Sequence, residues 1–178
     1  MARAAVIGRG GATRAAMLHE LALCGVCVTL IEAEAGIGLG TSYANGGMQT
    51  ASMPDPWNGP GVGKHLIASL FDPRSAMKLR AAAIPGMIGW GLRFLACSTA
   101  ARHRAATRAN YALCAYSVAR TEALHADCDF DYDRSDAGAM KIFETAAAMQ
   151  GPLAIAEDLG SFGLRFERLS ADDAVARE

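Results

Sequence analysis

A chain of 178 residues with net charge −1 and 52% hydrophobic residues can form one domain that buries roughly two-thirds of its unfolded surface. That balance excludes a disordered chain and a wholly basic nucleic-acid binder. Five cysteines, Cys24, Cys27, Cys97, Cys114 and Cys128, form an odd set behind an N-terminus without a secretory signal, so reduced thiols in a cytoplasmic protein are expected.

The first predicted element is a short strand, Ala4–Ile7, that runs into Gly8-Arg9-Gly10-Gly11-Ala12-Thr13. A helix over about Ala12–Cys24 follows, with Ala15, Leu18, Leu21 and Ala22 on one apolar face and Gly25 placed to stop it. A second strand, Val26–Ile31, closes on Glu32. This is the plan of a dinucleotide-binding βαβ unit. Gly8 turns the chain off the strand, Gly10 lets backbone amides approach a pyrophosphate at the helix N-terminus, and Glu32 accepts hydrogen bonds from a ribose. Glu32 would repel a 2′-phosphate, which favours NAD or FAD over NADP. Thr13 stands where the plan has its third glycine, so the helix is expected to shift outward. A Rossmann-like unit that folds without a nucleotide is the plainer alternative.

Cys24-Gly25-Val26-Cys27 has the spacing of a redox pair, but a reactive pair wants its first thiolate at a helix N-terminus, and Cys24 ends a helix. Small buried residues are expected there, and no second pair completes a zinc site. Residues 35–40 form a glycine-rich connector to Thr41-Ser42-Tyr43-Ala44-Asn45-Gly46-Gly47, and a Pro/Gly-dense loop spans Pro54–Gly61. Small residues and hydroxyls at this density suit a backbone lying against a ligand. The Gly59–His65 stretch is not a phosphate loop. Asn58 takes the place of the leading glycine, Pro60 removes an amide, and His65 replaces the magnesium-binding hydroxyl.

From Ser75 to about Ala126 the pattern predicts two or three helical pieces. The most apolar segment, Ala81–Leu92, is too short to span a bilayer and is interrupted by Arg93. The last piece places Ala105, Ala109, Ala112, Tyr116, Ala119 and Ala123 at spacings of three and four, a packing face with Tyr111 and Tyr116 in the core. No acid falls between Asp72 and Glu122, whereas Arg74, Lys78, Arg80, Arg93, Arg102, Arg104, Arg108 and Arg120 all do. Such a stretch is compatible with an anionic membrane surface and equally with solvated helix faces.

Asp127, Asp129, Asp131, Asp133 and Asp136 cluster around Phe130 and Tyr132, an alternation that fits an exposed strand face better than a cation site. Phe130–Asp133 and Ala139–Phe143 are predicted as a hairpin or adjacent strands. A helix from about Thr145 to Leu159, a strand at Phe166–Leu169 and a final helix behind a Ser170/Asp173 capping box follow. The expected organisation is α/β: residues 1–60 a nucleotide-binding unit with its approach loop, 61–126 a helical region, and 127–178 an incomplete third part. One βαβ unit needs further parallel strands to bury its sheet, so the chain reads as a truncated piece of a larger protein. No catalytic residue and no metal site is assigned. His19, His65, His103 and His125 lack acid or cysteine partners at informative spacing.

The motifs Ala5-Val6-Ile7-Gly8-x-Gly10, Val28-Thr29-Leu30-Ile31-Glu32 and Thr41-Ser42-Tyr43-Ala44-Asn45-Gly46-Gly47-Met48-Gln49 recur together in one family. So do Pro56-Trp57-x-x-Pro60-Gly61, Trp90-Gly91-Leu92-Arg93-Phe94-Leu95, Asp129-Phe130-Asp131-Tyr132-Asp133 with Gly138 ahead of a strand, and the stretch 167–178. With them the whole chain resembles the N-terminal portion of flavin-dependent D-amino-acid dehydrogenases. These belong to the wider family of FAD amine oxidoreductases that includes D-amino-acid, glycine and sarcosine oxidases. The Thr41–Gly61 region is the most specific part of the likeness and decides FAD over NAD.

The resemblance implies a Rossmann-like FAD-binding βαβ unit with a helical insertion and the start of a mixed-sheet substrate domain. It implies that Gly8, Gly10 and Glu32 hold the adenosine, pyrophosphate and ribose, and that backbone at Gly11, Ala12 and Thr13 faces the pyrophosphate. Thr41, Ser42, Asn45, Gly46 and Gly47 would run past the pyrophosphate towards the flavin ring. The chemistry implied is hydride transfer from the α-carbon of an amino-acid substrate to the flavin, after which the imino acid hydrolyses to a 2-oxo acid and ammonia. Electrons would leave to a membrane carrier, with peripheral association at the inner face of the cytoplasmic membrane and no nucleic-acid partner. Members of the family are much longer, and their C-terminal portion carries most of the substrate sheet, a carboxylate-clamping arginine and a second flavin motif. The expected alternatives are therefore a non-catalytic truncated remnant, part of a glycine- or sarcosine-type oxidase, or a protein whose partner is the missing C-terminal half.

Overall fold

The computed structural model describes residues 2–8, 11–72, 75, 81–128 and 133–177. The chain divides into two compact units, Met1–Met48 and Gln49–Glu178.

The first unit is a βαβ motif: β1 (Arg3–Gly8), α1 (Ala12–Leu23) and β2 (Cys27–Glu32). The strands pair in parallel, with Val6 opposite Leu30 and Gly8 opposite Glu32. Burial alternates along both, as the two-residue period of a strand requires. Ala4, Val6, Val28 and Leu30 lie on the shielded face, and Val6 is buried. Ala5, Ile7, Thr29 and Ile31 lie on the open face, where Ile7 is 69% and Ile31 50% exposed. Helix α1 packs on both strands through a half-buried stripe that includes Arg14, Ala15, Leu18 and Leu21.

Gly25 ends α1 as the sequence predicts. Its φ of +73° admits glycine readily, and its amide donates to the Ala22 carbonyl while that of Val26 donates to Leu21. This pair of bonds is a Schellman stop. Two expectations are corrected here. Cys24 and Cys27 are exposed free thiols, not small buried residues, because a sheet covered on one face has little interior to offer. Thr13 lies on the exposed side of α1, so its branched side chain does not stand between helix and strand.

The second unit is helical among its described residues. It contains α2 (Val62–Phe71), a 3-10 turn at Ala81–Ala83, α3 (Ile84–Ala96), α4 (Ala100–Asp127), α5 (Ala146–Gly160) and α6 (Ala171–Arg177). Helix α2 lies outside the predicted elements, and it begins immediately after Gly61, whose φ is +85°. Helix α3 starts with Pro85 in its first turn, where a missing amide costs nothing, and runs through Arg93. Its Trp90 and Phe94 rings stack with centroids 5.0 Å apart. Thr99 and Thr145 cap α4 and α5, each hydroxyl accepting the amide three residues on. The predicted capping box is present at α6: the Ser170 Oγ and Asp173 carboxylate exchange bonds with each other's backbone amides.

The most buried side chains of this unit are Leu159 of α5, which is fully buried, and Thr107 and Tyr111 of α4. Arg108 makes a two-pronged ion pair with Asp158 at 2.5 and 2.9 Å and lies over the Phe162 ring. The loop before α2 is tied to α4, with Asn110 donating to the Pro54 carbonyl at 2.8 Å and the His103 Nε2–H donating to that of Pro56 at 3.2 Å. The inward stripe of α4 is therefore His103, Thr107, Tyr111, Cys114 and Val118. The predicted face of Ala105, Ala109, Ala112, Tyr116 and Ala119 is exposed, with Ala123 half-buried. Alanines occur on every side of this helix, so their spacing does not distinguish one face from another.

Two predicted strands are absent. Ala139–Phe143 and Phe166–Leu169 are irregular, with no strand beside either among the described residues to complete a ladder. Of the predicted strand Phe130–Asp133, residues 130–132 lie outside the described set, and Asp133 has a φ of +55° that does not belong to a strand. The structure is thus α/β with one parallel pair of strands; the start of a mixed sheet is not seen among the described residues.

Candidate functional site

The C-terminal end of β1 and the N-terminus of α1 meet at the glycine turn. Helix α1 starts at Gly11, which has no side chain to cap it, and its first turn contains no acid. The exposed amides and aligned peptide dipoles make such a terminus favourable for an anion. Ser42 reaches this point from 30 residues away, its Oγ accepting the Ala12 amide at 3.0 Å. The serine of the distant loop thus supplies the cap that Gly11 cannot.

Glu32 ends β2 directly across the ladder from Gly8. Its Oε1 accepts the amides of Ala33 at 2.7 Å and Glu34 at 3.0 Å, which fixes the carboxylate at the strand end. Further along, the Asn45 Oδ1 accepts the Gly47 amide at 2.8 Å, and Gly47 has a φ of +60°. That is an Asx turn, in which Gly47 takes the left-handed conformation glycine allows.

The structure therefore gathers Gly8, Gly11, Ala12, Ser42 and Glu32 at one end of the βαβ motif. Asn45, Gly46 and Gly47 form their own exposed turn in the same unit, while Thr41 and Thr13 are exposed. Gly10 lies outside the described residues. Sequence reasoning missed Arg14, whose guanidinium stands where a Cβ on Gly8 would have to go. The signal was present: Arg14 lies four residues before Leu18, so helical period puts it in the sheet-facing stripe.

Elsewhere, a cavity of about 300 Å³ is lined by Pro60, His103, Arg104, Thr107, Ile155 and Asp158, among others. Among the described residues no cluster of His, Cys, Asp and Glu could hold a metal ion. No described helix is long and apolar enough to cross a membrane.

Residues 3–178 match the family model described as FAD dependent oxidoreductase. The chain belongs to that family. Among its relatives is D-amino acid dehydrogenase 2 of Ralstonia nicotianae, 39% identical over 163 residues that cover 90% of this chain and 38% of that protein. The D-amino acid dehydrogenase of Dechloromonas aromatica is 30% identical over 99% of this chain and 42% of its own length. That of Allorhizobium ampelinum is 29% identical over 97% and 41%. The chain spans about two fifths of the length of these relatives. No solved structure matches it.

The cofactor of this FAD-dependent oxidoreductase family is FAD, and the residues present fit it. An acid-free helix terminus suits the pyrophosphate. The strand ends on Gly8, whose missing Cβ leaves room for the Arg14 guanidinium, a positive group at the same end of the motif. A carboxylate at the end of the next strand suits ribose hydroxyls.

Proposed function

We propose that this chain supplies the FAD-binding part of an oxidoreductase that deaminates D-amino acids to 2-oxo acids and ammonia. The observation that carries this reading is the bond from the Ala12 amide to the Ser42 hydroxyl. It ties the segment most specific to the family to the helix terminus where a pyrophosphate is held. The names of the relatives support the D-amino-acid substrate class.

In this reading Gly8 and Gly10 let the backbone turn close under the cofactor, and Gly11, Ala12 and Thr13 present the first turn of α1 to its phosphates. The Ala33 and Glu34 amides hold the Glu32 carboxylate at the end of β2, where it accepts hydrogen bonds from the ribose hydroxyls. Thr41, Ser42 and the Asn45–Gly47 turn line the way towards the flavin ring. Bound FAD supplies the hydride acceptor for the substrate α-carbon, and the protein supplies position and electrostatics.

The test is the visible spectrum of the purified chain after incubation with FAD and removal of free flavin. Retained flavin near one equivalent is the expected result, and a colourless protein refutes the cofactor-binding part of the reading. Bleaching of the retained flavin by a D-amino acid and not by its L-enantiomer would establish the substrate class. A second reading, flavin binding without turnover, is favoured by the open sheet face at Ile7 and Ile31, since parallel sheets are ordinarily covered on both sides. Retained flavin that no amino acid bleaches distinguishes it.

Membrane association belongs to the same proposal. Ile84, Met87, Ile88, Trp90, Leu92 and Leu95 of α3 are exposed, and 73–121 contains no acid. Co-sedimentation with anionic vesicles and not with neutral ones is expected.

A further inference from the structure

The cavity of about 300 Å³ belongs wholly to the second unit, and its volume is at the small end of the range that ligand pockets occupy. His103, Arg104 and Thr107 fall within one turn of α4 and share its face there. Helix α5 supplies Ala154, Ile155 and Asp158, and Pro60 adds an apolar edge.

The polar part of this lining is not balanced. The His103 ring bonds the Pro56 carbonyl, and the Thr107 hydroxyl donates to the His103 carbonyl, so both side chains already have partners. Arg108 lays its guanidinium on both oxygens of Asp158. Arg104 acts on the same carboxylate through space: the hydrogen bond from Arg108 is the main reason that the Asp158 carboxyl titrates low, and the charge of Arg104 adds to it. Among the described residues Arg104 forms no ion pair of its own. Two guanidiniums thus share one carboxylate, and the wall keeps a net positive charge beside an apolar surface.

From this arrangement we propose that the cavity is a binding site for a small carboxylate with a short apolar body. The carboxylate takes the Arg104 guanidinium, whose planar donors match it in pairs, and supplies the negative charge that the wall lacks. The body lies against Pro60, Ala154 and Ile155. A zwitterionic amino acid fits less well, because its ammonium enters a wall that is already positive. These residues are not those of the FAD site, so occupancy of the cavity is independent of that reading.

The experiment titrates butanoate, its uncharged analogue butanamide and the zwitterion 2-aminobutanoate into the full chain. Binding is followed by the NMR signal of the Ile155 methyl groups and by melting temperature. Butanoate should saturate with a dissociation constant on the order of 1 mM, and the two analogues should bind about tenfold more weakly. Arg104→Gln should weaken butanoate about tenfold and leave butanamide unchanged. Arg104 is exposed, so this variant should keep the melting temperature of the wild type. Asp158→Asn acts in the opposite direction. It frees a second guanidinium, so butanoate should bind more tightly and recover part of the melting temperature that the variant loses, a rescue that a purely structural ion pair would not give. Should Asp158→Asn fail to fold, Arg104→Gln and the analogue comparison decide the matter. An Ile155 signal that ignores butanoate, or answers butanamide equally, overturns the proposal. So does butanoate binding that survives Arg104→Gln unchanged, or that equimolar chloride displaces, since the guanidinium would then take any anion.

Discussion

At the scale of single residues, the structure rests on few side chains, and these set sharp expectations. Leu159 is the one fully buried large side chain named among the described residues. Its truncation in Leu159→Ala should cost about 2–5 kcal/mol, read as a lower midpoint in urea unfolding of the helical unit. Ser42→Ala removes the remote cap of α1 and should cost about 1 kcal/mol, with the loss confined to the βαβ unit and visible as faster hydrogen exchange at Ala12. Asp158 gives a pH signature. The hydrogen bond from Arg108 holds its carboxyl below the usual carboxylate range. A carboxylate with a depressed folded-state pKa stabilises fully above its unfolded value of about 3.9. That contribution is lost as pH falls through the lower, folded value. Wild type should therefore be more stable than Asp158→Asn at neutral pH, and the difference should vanish in acid; a constant difference across an acid titration would refute the assignment.

Helix starts and stops are the elements most faithfully written in the sequence, because capping is local chemistry. Gly25, Thr145 and the Ser170/Asp173 box all act where the pattern places them. Gly163, with a φ of +102°, stops the chain after α5 by the same pair of bonds that Gly25 makes after α1. Gly25→Ala should cost about 1 kcal/mol through its left-handed backbone, with little change in packing, since nothing lies near its missing Cβ. Packing faces were less legible. The inward stripe of α4 is carried by His103, Thr107 and Tyr111; His103 bonds the distant Pro56 carbonyl, while the Thr107 hydroxyl donates to the His103 carbonyl of its own helix. An alanine-rich helix leaves that choice to its neighbours. Strands were least legible: Ala139–Phe143 is apolar around a single Lys141 and follows a turn, but a strand exists only when another chain segment completes its ladder.

At the scale of the whole molecule, the open face of the parallel sheet is the dominant physical fact. Ile7 and Ile31 sit side by side in register there, exposed. Replacing both with serine should change the stability of this chain by no more than about 0.5 kcal/mol each, the range of surface substitutions. A large loss would show that the face is covered in solution. FAD, if held at the glycine turn, should stabilise the chain by mass action, about 2.7 kcal/mol at a hundredfold excess over the dissociation constant. A rise in melting temperature with FAD and none with riboflavin would place the gain at the dinucleotide end.

The sequence by itself determined the βαβ unit, the acid at the end of β2, the bounds of α1 and α5 and the start of α6. It also carried the likeness to FAD-dependent oxidoreductases along its whole length. These rest on short-range rules: what φ a glycine admits, which side chains cap an amide, how apolar residues repeat. Only the tertiary structure decided that Ser42 closes the N-terminus of α1, that Arg14 folds onto Gly8, and that α4 turns Tyr111 inward and Tyr116 outward. Each of those depends on which distant group arrives within hydrogen-bonding or packing distance, and no local pattern encodes the arrival.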